Sequence, residues 1–62
     1  MRMKKYRFKF YHSDGGISFV EDRFIFERHA FMYAYNRLAY RDDIEKIDVY
    51  DGTKLVATFY KR

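Results

Sequence analysis

Residues 5–11 read Lys5-Tyr6-Arg7-Phe8-Lys9-Phe10-Tyr11, and this alternation decides the kind of domain the chain makes. Tyr6, Phe8 and Phe10 fall on one side of an extended chain, and Lys5, Arg7, Lys9 and Tyr11 on the other. That is the pattern of a strand buried on one face only. Ser13-Asp14-Gly15-Gly16 follows as a turn, because paired glycines reach positive φ at little steric cost.

Past the turn the reading forks. Ile17 to Val20 either return as a short second strand or lead directly into a helix. Ser18-Phe19-Val20-Glu21 has the spacing of a capping box, and Glu21-Asp22 suit the positive end of a helix dipole, with Asp22 a competing N-cap. No Gly or Pro interrupts the chain from there to Tyr40 or Arg41, which predicts one long helix. Val20, Phe24, Phe31, Ala34, Tyr35 and Leu38 share one face of it at ~100° per residue. Asp42-Asp43 then break the pattern.

The last third predicts a hairpin. Ile44, Ile47 and Val49 lead into Tyr50-Asp51-Gly52-Thr53, and Leu55, Ala57 and Phe59 follow. A three-residue loop with Gly52 in the left-handed region pairs Val49 with Thr53 and Ile47 with Leu55. This puts every apolar residue on one face. The expected fold is therefore α+β, a β-α-β-β or β-β-α-β-β chain whose small antiparallel sheet packs one face against one long helix. Phe8, Phe10, Ile47, Val49, Leu55, Ala57 and Phe59 are its expected core.

Length and composition bound the rest. Residues 1–62 make one domain, near the lower limit for burying enough apolar surface to fold alone. There is no Cys, so neither disulfides nor thiolate metal sites can staple it; His12 and His29 are too isolated to hold zinc. Seven Phe and seven Tyr supply the bulk instead. No metal or cofactor is expected. The acidic residues Asp42, Asp43, Glu45 and Asp48 lack the spacing of a calcium loop, and Asp14-Gly15-Gly16 lacks the residues of a phosphate loop. His12, Ser13 and Asp14, adjacent on a turn, cannot converge on one substrate atom, so neither an enzyme nor a small-molecule substrate is expected. No apolar run approaches a membrane span. Met1-Arg2-Met3-Lys4-Lys5 is not followed by the apolar stretch of a signal peptide, and with no Cys a cytoplasmic location is expected.

Two surfaces carry functional expectations. The first is the outer side of the helix, where Phe26, Tyr33 and Tyr40 recur every seven residues among Ile25, His29, Met32 and Arg37. A helix apolar all round needs cover all round, so this stripe is expected to bind a protein partner, a second copy in a homodimer above all. Very small, Cys-free, aromatic-rich chains are common among phage and mobile-element inhibitors of host or defence enzymes, an analogy of size and composition. The second is the outer side of the sheet, where Lys5, Arg7, Lys9, Tyr11, Lys46, Tyr50, Lys54 and Tyr60 would lie together. Basic sheets bearing Tyr rings grip single-stranded nucleic acid, and the formal net charge of +4 suits an anionic partner.

Overall fold

A computed structural model describes residues 2–61. The elements run β1 (Lys4–His12), β2 (Ile17–Phe24), α1 (Glu27–Tyr40), β3 (Ile44–Asp51) and β4 (Lys54–Tyr60). All neighbouring strands are antiparallel, in the order β2-β1-β3-β4. The chain is thus α+β, in the β-β-α-β-β form, with one helix on one face of a four-stranded sheet. Cα extents of 38 × 20 × 15 Å leave room for two layers only, so the other face of the sheet is bare.

The fork after the first turn resolves as strand, and the strand runs on to Phe24. Gly15 takes φ +92°, Gly16 N–H donates to Asp14 Oδ1 at 2.8 Å, and His12 N–H donates to the Gly16 carbonyl at 2.8 Å. The chain is thereby folded back with Ile17 opposite Tyr11, and an unbroken ladder follows to Lys4 opposite Phe24. The β-branched and aromatic residues Ile17, Phe19 and Val20 suit this pleated surface. The capping-box expectation at Ser18 is overturned: the partner strand β1 outweighs a local cap. The helix instead begins at Glu27, with Phe26 in the N-cap position and no side-chain cap. At its other end Lys61 Nζ donates to the carbonyls of Leu38 (3.0 Å) and Arg41 (2.6 Å), placing a cation at the negative pole of the helix.

The later start rotates the helix relative to the sequence expectation. Ala30, Ala34 and Leu38 are its buried residues, and Phe31 and Tyr33 flank them. Small alanines let the backbone lie close over the sheet, chiefly over β3. Tyr35, expected in the core, is 63% exposed, and Val20 lies exposed on β2. Beneath the helix are Tyr6, Phe8, Phe10, Ile44, Ile47 and Val49, all buried.

The second hairpin keeps its left-handed glycine but not its expected register. Gly52 has φ +66°. The loop is two residues, Gly52-Thr53, with Asp51 opposite Lys54 and Tyr50 opposite Leu55; the ladder then slips, so that Val49 faces Ala57 and Ile47 faces Phe59. Val56 is the extra residue of this bulge, which lets a two-residue turn coexist with an apolar inner face. Ala57 and Phe59 pack against the core as expected, whereas Leu55 is turned to the bare face and half exposed.

Candidate functional site

Residues directly opposite each other in a ladder share a face, so the registers give the bare side of the sheet row by row. One row runs Ile17, Tyr11, Lys46, Tyr60 from β2 across to β4. The next is Phe19, Lys9, Asp48, Thr58, and the third is Glu21, Arg7, Tyr50, Leu55. Arg23 and Lys5 follow. Lys5, Arg7, Lys9, Arg23 and Lys46 outnumber Glu21 and Asp48 by three charges on this one surface.

Cations and rings interleave there. Lys46 Nζ lies 4.2 Å from the Tyr11 ring centre and 5.7 Å from that of Tyr60. The Lys9 ammonium stands 5.0 Å from Tyr11 and 5.9 Å from Phe19, and the Arg7 guanidinium 5.2 Å from Phe19. Such contacts hold the cations over the rings at a cost of little hydration. Phe19 is 54% and Tyr60 69% exposed, so both rings keep surface for a ligand. Arg7, Lys9, Phe19 and Tyr50 line, with Gly52 and Thr53, a shallow depression of about 280 Å³.

Of the two carboxylates, Glu21 is exposed and loosely shared between Lys5 (3.7 Å) and Arg7 (3.6 Å). Asp48 is only 6% exposed, and its two oxygens accept from the hydroxyls of Tyr11 and Thr58, each at 2.8 Å. This carboxylate fixes Tyr11 against the sheet beneath Lys9 and Lys46. Asp48→Asn replaces one acceptor by a donor beside those hydroxyls, and we expect a loss of about 1–2 kcal/mol, read as a lower urea midpoint.

Seven of the eight residues expected on this face are there: Lys5, Arg7, Lys9, Tyr11, Lys46, Tyr50 and Tyr60. Lys54 is not. It stands opposite Asp51, which stands opposite Tyr6, so Lys54 is on the helix side; the bulge at Val56 is the cause. Ile17, Phe19, Glu21 and Arg23 were missing from the expected set because their segment reads as helix. The alternation Phe19, Glu21, Arg23 after a double-glycine turn is the signal that finds them.

The stripe expected on the outer helix is divided. Ile25 and Phe26 precede the helix, where Phe26 meets His29 edge-on at 5.6 Å and carries the Arg28 guanidinium at 4.4 Å. Tyr33 belongs to the core side, 4.8 Å from Phe8 and 6.0 Å from Phe24 between ring centres, with Arg37 over its outer surface at 5.0 Å. Met32 and Tyr40 are exposed, together with Tyr35.

The fold also assembles a Ser/His/Asp set that adjacency in sequence does not show. Ser18 Oγ lies 2.8 Å from His12 Nε2, and His12 Nδ1 lies 3.5 Å from Asp43 Oδ2. Asp43 is committed elsewhere: Arg41 reaches both its oxygens, at 3.1 and 2.8 Å, and these bonds hold the carboxyl below the usual carboxylate range. Nucleophilic catalysis also needs a shielded substrate position and oxyanion donors, and Ser18 sits exposed on an edge strand. With Ser13 N–H donating to the Asp43 carbonyl at 2.8 Å, the set acts as a clasp joining the first hairpin to the α1–β3 corner. No helix among the described residues is long and apolar enough to cross a membrane. No family model, curated protein or solved structure matches the chain.

Proposed function

We propose that this protein binds single-stranded nucleic acid on the bare face of its sheet. The observation that carries the reading is the interleaving there of Arg7, Lys9 and Lys46 with the exposed rings of Phe19 and Tyr60. Cations at that spacing suit phosphates, and rings with free surface suit unstacked bases. A second copy packed face to face would bring Arg7, Lys9 and Lys46 against their own equivalents, so an anionic occupant fits better. A duplex keeps its bases stacked inward and offers these rings little, which favours a single strand.

The test is an anisotropy titration with labelled single-stranded and duplex oligonucleotides across a salt series. Three or four phosphate contacts give a slope of log K against log salt of about −2 to −3. Single strands are expected to bind more tightly than duplex. Undetectable binding of single strands at low salt, or a preference for duplex, would overturn the reading.

A second reading is a protein-binding module using the helix. It draws on the exposure of Met32, Tyr35 and Tyr40, with Ile25 and Phe26 nearby, since aromatics and Met are enriched at interface cores. It expects Met32→Glu to abolish self-association.

A further inference from the structure

The two edges of the sheet are treated differently. On β4 the Val56 bulge interrupts the ladder, and Lys54 stands at the start of the strand. Bulges and lysines are the ordinary means of keeping an edge from pairing. On β2 the register runs without a shift for eight residues, with no Pro and no Lys; its charges, Glu21, Asp22 and Arg23, are of both signs and confined to one end, and the strand is exposed on both faces until Phe24. The helix lies chiefly over β3 and meets β2 through the contact of Tyr33 with Phe24, so Val20 is uncovered on the helix side while Ile17 and Phe19 are uncovered on the other.

Ladder stereochemistry shows what this edge can accept. His12 N–H bonds the Gly16 carbonyl at the hairpin end. Alternation from that pair gives the even-numbered residues of β2 their bonds to β1 and turns the amides and carbonyls of Ile17, Phe19, Glu21 and Arg23 outward. A second β2 can add antiparallel only about a two-fold axis perpendicular to the sheet, which keeps helix with helix and bare face with bare face. Such an axis must pass through a residue facing its own copy. Centring on Glu21 or Asp22 sets like charges against each other at the axis. Centring on Val20 sets Val20 against Val20, Phe19 against Glu21, Ser18 against Asp22 and Ile17 against Arg23. It joins the outward groups of Phe19 with those of Glu21, and of Ile17 with those of Arg23, and it opposes no like charges. Centring on Phe19 also avoids like charges but shortens the ladder.

We propose that β2 pairs with β2 of a second copy about an axis through Val20, joining two four-stranded sheets into one and their two basic faces into one surface. This is independent of nucleic acid, and its test is run on protein purified free of it.

The chain has no Cys, so a single Val20→Cys places the only thiol at the axis. In a non-hydrogen-bonded pair the facing Cβ atoms lie within disulfide range. Expected are a concentration-dependent dimer by light scattering, in a dilution series starting near ~1 mM, and disulfide-linked dimer from Val20→Cys under mild oxidation, many-fold faster than from Thr53→Cys on the distal turn. Glu21→Pro removes an outward N–H without touching the bonds to β1, and should give monomer with an unchanged circular dichroism spectrum. Met32→Glu on the helix should remain dimeric. A wild-type monomer throughout the series, cross-linking of Val20→Cys no faster than of Thr53→Cys, or a folded Glu21→Pro dimer would each overturn the proposal.

Discussion

Phe8→Ala is expected to leave the chain unfolded at 25 °C. Phe8 is fully buried on the central strand β1, between Val20 on β2 and Val49 on β3, and its ring meets those of Phe24 (6.1 Å) and Tyr33 (4.8 Å). Truncating a buried Phe to Ala costs about 3–5 kcal/mol, from lost transfer free energy and from the cavity left behind. A single core in a domain of this length supplies only about 3–5 kcal/mol in total. The two figures coincide, so one substitution removes essentially all the stability. Far-ultraviolet circular dichroism should show the loss directly. Phe31→Ala, at a half-buried ring that meets Phe59 at 5.8 Å, should stay folded with a lower urea midpoint. A cooperative transition in Phe8→Ala, weakened by less than about 1 kcal/mol, would mean that the core is centred elsewhere.

Phe8 was legible in the sequence for the same reason that it matters. From Lys5 to Phe10 its strand alternates without a break, and period-two alternation is a property of the strand alone. The Gly52 turn was legible too, since positive φ is a local demand. Residues 17–24 were not, because Ser18 and Glu21 present the spacing of a helix cap while the competing claim, a ladder to β1, depends on partners six to twenty positions away, from Tyr11 back to Lys4. Local pattern and long-range pairing disagreed there, and pairing won. The local helix signal had consequences at the site. It hid Phe19 and Arg23 from the basic face and set the helix phase so that Tyr33 read as outward and Tyr35 as inward. Lys54 was displaced for a different reason. A bulge at Val56 shifts the register by one residue, and nothing about Val, Leu or Ala in that stretch announces it. The cations of β1 depend on neither the β2 pairing nor the Val56 bulge, which is why most of the face could be assembled from alternation.

Replacing both Arg7 and Lys9 by Glu is expected to weaken binding of single-stranded oligonucleotides at least about 100-fold at low salt, with the fold intact. Both side chains lie on the solvent side of β1, while their neighbours Tyr6, Phe8 and Phe10 carry the core, so the double variant keeps the packing and lowers stability only by setting its carboxylates opposite Glu21 and Asp48, which a circular dichroism melt reads separately from binding. Two effects add. Two phosphate contacts are lost, which should make the salt slope shallower by about 1.4. In addition, reversing two charges shifts by four units the net charge of a face whose surplus is three, so the remaining cations Lys5, Arg23 and Lys46 no longer outweigh its acids. Phe19→Ala and Tyr60→Ala act on a different term. Stacking is worth about 1–3 kcal/mol per base and involves no counterion release, so each should weaken binding roughly 5- to 150-fold while leaving the salt slope unchanged. The pair of signatures separates a specific site from generic attraction to a basic protein. If the ring variants bind like the wild type while the charge variant fails, the face attracts polyanions without holding bases. If the charge variant binds within about threefold of the wild type, the bare face is not where nucleic acid sits.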